Sequence, residues 1–199
     1  MYYRSIEKGN LDVIKCLLTY DIEKNIKEKW NGYNLFLYSC KYEKLDIAKY
    51  FLDKGVNIHE IDDKGNNSLH YASINGNLII VKYLLSQGMA IDNKNNEGNT
   101  ALICATMNGY FDIVEYLILF NCKFHEKNNK GRTALLYSAM YGYFDILKLL
   151  TEKILDSNKV FNLSFISQRK LNMKDNDGYN ALMISCMYGH IDIVEYLIE

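Results

Sequence analysis

Asn67-Ser68-Leu69-His70-Tyr71-Ala72, followed by Gly76 and then by Val81-Lys82-Tyr83-Leu84-Leu85-Ser86-Gln87-Gly88, is the stretch on which the reading of this chain turns. Its pieces recur. Gly9, Gly76, Gly109, Gly142 and Gly189 each open a variant of one phrase: GNLDVIKCLL, GNLIIVKYLL, GYFDIVEYLI, GYFDILKLLT and GHIDIVEYLI. A second set of glycines, Gly32, Gly65, Gly98, Gly131 and Gly178, keeps a fixed distance upstream of Glu43, Gly76, Gly109, Gly142 and Gly189. Successive members of this set lie 33 residues apart until the last step, which is longer by 14. A fixed period in this range is the signature of stacked supersecondary units, each too small to bury its own apolar face.

Each unit reads as turn, helix, helix. Asp62-Asp63-Lys64-Gly65, Asn95-Asn96-Glu97-Gly98, Asn128-Asn129-Lys130-Gly131 and Asp175-Asn176-Asp177-Gly178 place Asx first and glycine fourth, as a type I turn prefers. Asn34, Asn67, Thr100, Thr133 and Asn180 then stand where an N-cap side chain accepts from a backbone N–H. The first helix ends at a glycine suited to left-handed geometry. A second helix follows with apolar residues at helical spacing, such as Ile113, Val114, Leu117 and Ile118. Glu43 occupies the joining position in the second unit, where left-handed geometry costs a non-glycine residue roughly 1–2 kcal/mol.

The 67–72 stretch and the 33-residue period resemble the ankyrin repeat, whose T-P-L-H-x-A core it follows. The resemblance covers essentially the whole chain and implies an all-α solenoid of about six helix-turn-helix units with short turn tips. Leu35, Ser68, Ala101, Ala134 and Ala181 replace the family's proline, which is favourable at a first helical position but dispensable. The expected array is a partial repeat over 1–28 and repeats over 29–61, 62–94 and 95–127. A repeat over 128–174 with its 14-residue insertion near 154–170, and a truncated one over 175–199, complete it. Neither end offers an obvious polar cap, from which a piece of a longer array is expected. The insertion contains Val160-Phe161-Asn162-Leu163-Ser164-Phe165-Ile166, apolar enough to dock. It extends the preceding helix and folds back, or it forms a second recognition element.

Composition excludes several function classes. A formal net charge of -1 and 24% charged residues do not make a polyanion binder. Lys127, Lys130 and Arg132 form the best basic turn, but Asp62, Asp63, Glu97 and Asp177 on other turns break any stripe, so no nucleic acid is expected. The apolar runs are far short of the roughly 20 residues that span a bilayer, and the N-terminus has no secretory pattern. Five cysteines without paired spacing point to free thiols and a reducing compartment, cytoplasm or nucleus.

Chemistry is not apparent. All 12 glycines have structural places in the repeat, which leaves none for a phosphate loop. His70 sits at the family's histidine position, where a local hydrogen bond braces the turns. His59, Asp92 and His125 repeat one position at 33-residue spacing, too far apart for one metal. Cys122 and His125 have no second pair in register. No cofactor, no metal and no reaction of the chain's own are expected.

What remains is binding. The resemblance implies a concave face built from turn tips and from the ends of the first helices. The pairs before each joining residue are Lys41-Tyr42, Ile74-Asn75, Met107-Asn108, Met140-Tyr141 and Met187-Tyr188. Methionine adapts to irregular surfaces and aromatics dominate interface hot spots, so Met107, Met140, Tyr141, Met187 and Tyr188 are candidates for one ridge. Packing between neighbouring units is the other reading of the same side chains. Trp30, Tyr33 and Tyr179, with Lys130 and Arg132, extend the candidate surface to the turn tips. The expected function is a monomeric adaptor or scaffold binding another protein. The alternative is a targeting or substrate-recruiting part of a larger enzyme, ubiquitin ligase, kinase or channel.

Overall fold

A computed structural model describes residues 1–19, 29, 32–159 and 172–198, with the side chains of 156–159 left aside. Its helices pair into hairpins: α1 (Tyr2–Glu7) with α2 (Leu11–Leu18), α3 (Leu35–Lys41) with α4 (Leu45–Asp53), and α5 (Ser68–Asn75) with α6 (Leu78–Ser86). Then follow α7 (Ala101–Met107) with α8 (Phe111–Leu119), α9 (Ala134–Tyr141) with α10 (Phe144–Lys159), and α11 (Ala181–Tyr188) with α12 (Ile191–Ile198). The chain forms two compact units, Met1–Asn96 and Glu97–Glu199, of three hairpins each.

In the first unit α3 packs on α1, α4 and α5. Six consecutive residues of α3, Leu35 to Cys40, are buried, the burial of a helix enclosed on all sides. In the second unit α9 takes the same place among α7, α10 and α11. The second helices bury one stripe only. Ile113, Val114, Leu117 and Ile118 of α8 recur at i, i+1, i+4 and i+5 and face inward. Each such side chain is worth about 1.5–3 kcal/mol when fully withdrawn from water.

The first helices begin where the sequence places their caps. Asn34 Oδ1 accepts from Leu37 N at 2.7 Å and Asn180 Oδ1 from Met183 N at 2.9 Å, while Thr100 and Thr133 cap α7 and α9 through their hydroxyls. His70 completes a reciprocal cap: Asn67 Oδ1 accepts from His70 N at 3.0 Å, and His70 Nδ1 accepts from Asn67 N at 3.2 Å. This is the local bond expected of it.

Joints between paired helices are left-handed. At Gly142 φ is 73°, and a Cβ would meet the His190 ring at 2.6 Å, so both conformation and space require glycine. Glu43 adopts the same geometry with φ of 61°. Asn121 does so too, with φ of 59°, in register with Gly55 and Gly88. Asparagine tolerates the left-handed region; glutamate gains no comparable local bond. Of the segment expected as an insertion, the first part continues α10 to Lys159, and 160–171 lie outside the described residues.

Glu43→Gly therefore removes the strain and loses one long, exposed bond from Asn77 Nδ2 to Glu43 Oε2 at 3.3 Å. The expected outcome in thermal unfolding is a gain of about 1 kcal/mol. An unchanged or lower melting temperature would show that this joint carries no strain.

Candidate partner-binding surface

The surface is built on the turns that precede the first helices. In three of them the leading Asx side chain is buried and folds onto its own turn. Asp62 Oδ1 accepts from Lys64 N at 3.0 Å and Asn66 N at 2.7 Å. Asn128 Oδ1 accepts from Lys130 N and Arg132 N, both at 3.0 Å. Asp175 Oδ1 accepts from Asp177 N at 3.1 Å and Tyr179 N at 3.0 Å. A helix tyrosine reaches the same group in two cases, Tyr71 Oη donating to Asp62 Oδ2 at 2.5 Å and Asn128 Nδ2 donating to Tyr137 Oη at 2.9 Å.

Neighbouring tips are tied together within each unit. In the first, Asn96 N donates to Lys64 O at 3.0 Å and Asn95 Nδ2 to Asn66 Oδ1 at 2.8 Å. In the second, Asn129 N donates to Glu97 O at 3.0 Å and Asn176 N to Lys130 O at 3.1 Å. Here the basic turn residue Arg132 is half-buried. Its Nε donates to Asp175 Oδ2 at 3.1 Å, and its Nη1 approaches Met140 Sδ at 3.8 Å. Lys130 is exposed. Burial alone would raise the Asp175 carboxyl, but the N–H groups of Tyr179 and Asp177 and the Arg132 guanidinium outweigh it and hold it below the ordinary value.

The helix-end pairs divide by position. Tyr42, Tyr141 and Tyr188 are the second members of their pairs and are 37%, 44% and 55% exposed. Asn108 is also exposed at this position, whereas Asn75 is half-buried and donates through Nδ2 to Lys41 O at 2.6 Å. In the pairs before the last hairpin no first member is exposed. Ile74 and Met107 are half-buried, and Met140 is only 7% exposed. The ridge expected through Met140 is corrected there: α11 packs on α9 and Arg132 closes over the thioether, so Met140 is a packing residue. Met187, its counterpart in the last hairpin, is 62% exposed.

Rings stack where the tyrosines emerge. Tyr141 lies 6.1 Å from Tyr137 and 5.9 Å from Tyr143, and Tyr188 stacks on His190 at 6.4 Å. Tyr179 is exposed at its turn tip, Tyr33 is half-buried, and Trp30 lies outside the described residues. The sequence reading placed Asp62 in its turn but passed over Tyr71 and Tyr137, whose signal was a register shared with Tyr38 at multiples of 33 residues. It also passed over Lys29, which stands where Asp62 and Asn128 stand elsewhere. With no Asx acceptor there, Tyr38 Oη donates to Glu7 instead, and Lys29 pairs with Glu60 at 2.5 Å.

Among the described residues no group of three or more His, Cys, Asp or Glu is placed to hold a metal. Among them, too, no helix is long and apolar enough to cross a membrane. Burial raises the Cys40 thiol, and burial with the Glu97 charge pushes Cys104 up to about 12, so neither is a nucleophile near neutrality.

Paired helices, left-handed joints and Asx turns at one period define a helical repeat protein. The family model for ankyrin repeats in three copies matches residues 3–95, 87–162 and 120–199, and the chain belongs to the ankyrin repeat family. No curated protein matches it. Ankyrin repeats are in general protein–protein interaction modules.

Two outcomes follow. Because the Asp175 carboxyl is lowered on folding, its stabilisation is present above its unfolded value of about 4 and is lost as pH falls through the lower folded value. Asp175→Asn is expected to be less stable than the native chain at neutral pH, with the difference narrowing below about pH 4; a difference constant with pH in urea titrations would contradict the assignment. Thiol labelling of the native protein is expected to reach the exposed Cys16 and Cys186 rapidly and the buried Cys40, Cys104 and Cys122 only on unfolding. Equal labelling of all five would contradict the packing described.

Proposed function

We propose that this chain is a protein-interaction module, an adaptor or scaffold that binds a partner protein through its turn tips and the ends of its first helices. The observation that carries this reading is the exposure of Tyr42, Tyr141 and Tyr188 at one repeat position. That position closes the first helix, and in α3 and α9 its side chain projects past the buried layer formed by the residues before it, while in α11 Cys186 and Met187 are exposed beside Tyr188. Packing does not require an aromatic there, since Asn75 and Asn108 serve in other hairpins. Tyrosine at such a position supplies a large, semi-rigid contact surface with a polar tip, the chemistry enriched at interfaces.

In the second unit, exposed Tyr179, Met187 and Lys130 add to Tyr141 and Tyr188. Arg132 is held by Asp175 and contributes its outer face at most. The chain as proposed has no catalytic step, and its specificity comes from which side chains stand at the exposed positions of a common framework.

The test is affinity capture from lysate of the source cells, comparing the native chain with a Tyr141→Ala, Met187→Ala, Tyr188→Ala variant whose helicity is unchanged by circular dichroism. A protein retained by the native chain and reduced at least tenfold on the variant is expected. Equal retention would move the binding surface elsewhere on the chain, and absence of any retained protein would count against the module itself.

A further inference from the structure

In the first unit one of the helix-end pairs departs from the others. Where Ile74, Met107, Met140 and Met187 stand elsewhere, the chain has Lys41. Lys41 is the last residue of α3 and is half-buried. Its Nζ lies 4.1 Å from the ring centroid of Tyr33, 5.6 Å from that of Tyr71 and 5.9 Å from that of Tyr42. Three π-faces around one ammonium hold the cation in place.

The hydrogen-bond directions around it are fixed by counting protons. Tyr71 Oη has one hydrogen and donates it to Asp62 Oδ2. Tyr33 Oη, 3.0 Å from Tyr71 Oη, must then be the donor of that pair. Lys41 Nζ donates to Tyr33 Oη at 2.9 Å. The relay runs from Lys41 through two tyrosines to the turn carboxylate, and each bond polarises the next.

An ammonium has three donors, and the relay uses one. Among the described residues the other two have no acceptor, and no carboxylate lies within 4 Å of Nζ. The acids around the site are engaged elsewhere. Glu7 accepts from Tyr38, Glu43 accepts from Asn77, and Asp62 accepts from its own turn and from Tyr71. Beside this cationic cup Tyr42 presents an exposed ring, itself 4.6 Å from Tyr38.

We infer that this cup receives the side-chain carboxylate of an aspartate or glutamate of the bound partner, with the partner's neighbouring apolar group resting on Tyr42. The inference rests on the protein-binding reading and adds the chemistry of what is bound. Two free N–H donors match the two oxygens of one carboxylate. A cationic side chain would meet the Lys41 charge directly. A phosphate, with its second charge, would have a single cation to meet and the Asp62 carboxylate behind it.

The probe is a phage-displayed library of random 12-residue peptides selected on the full chain, with Lys41→Met and Lys41→Arg as variants checked for native circular dichroism. The native chain is expected to enrich peptides with Asp or Glu at one fixed position, Lys41→Arg to keep that preference and Lys41→Met to lose it. A selected peptide remade with Gln for that Glu, or Asn for that Asp, is expected to bind the native chain about tenfold more weakly. This arm needs no variant protein. Peptides enriched without a fixed acid, or an acid preference that survives Lys41→Met, would overturn the cup and leave the binding module standing. Failure to enrich any peptide would overturn both.

Discussion

The framework depends on a buried Asx side chain that accepts two backbone N–H groups of its own turn. At Asp62, Asn128 and Asp175 this bond set closes the turn and aims the following segment into the N-cap of a first helix. Without it the backbone donors of the turn would be left unpaired beside a buried layer, at a cost of about 1–3 kcal/mol for each. Stacking comes next, because a closed turn presents its outer carbonyls to the neighbouring tip within its unit. The hairpins then bury their stripes against surfaces that the turns have already positioned.

That arrangement separates residues that hold the fold from residues free to contact a partner. The interiors of α3, α5, α7 and α9 are buried, so their exposure rises only at the helix end and at the turn tip, whereas α11 is open at Met183, Cys186 and Met187 as well. The tyrosines of this chain fall on both sides of the division. Tyr38, Tyr71 and Tyr137 share one register and are buried with their hydroxyls bonded, whereas Tyr42, Tyr141 and Tyr188 share another and are exposed. Composition alone cannot tell these groups apart; position within the period does.

The same distinction explains what was legible in the sequence. Caps, turns and joints are settled by residues within four positions of each other, so Asn34, Thr100, Thr133 and Asn180 could be read directly, and the left-handed Glu43 followed from alignment with the glycines. Asn121 could have been found in the same way from Gly55 and Gly88. The covering of Met140 could not, since it depends on the packing of α11 against α9 and on Arg132 being held over the thioether by Asp175 of the next turn. Arg132 and Asp175 are 43 residues apart across the lengthened repeat, and only folding makes them partners.

Amide and carboxylate are not equivalent at the Asx position. The Asn128 side chain accepts from its own turn and, through Nδ2, donates to Asn99 Oδ1 of the preceding tip at 2.8 Å. A carboxylate can only accept, so its outer oxygen needs a donor from elsewhere: for Asp62 that donor is Tyr71 of its own repeat, and for Asp175 it is Arg132 of the preceding tip. The two residues are therefore coupled: losing the arginine alone strands a buried carboxylate, whereas Asp175→Asn keeps an oxygen for the turn N–H groups and leaves the half-buried Arg132 guanidinium without that acceptor, though still near Asp177. Removing the arginine is the costlier of the two single changes, because the charge it strands is the more deeply buried of the pair.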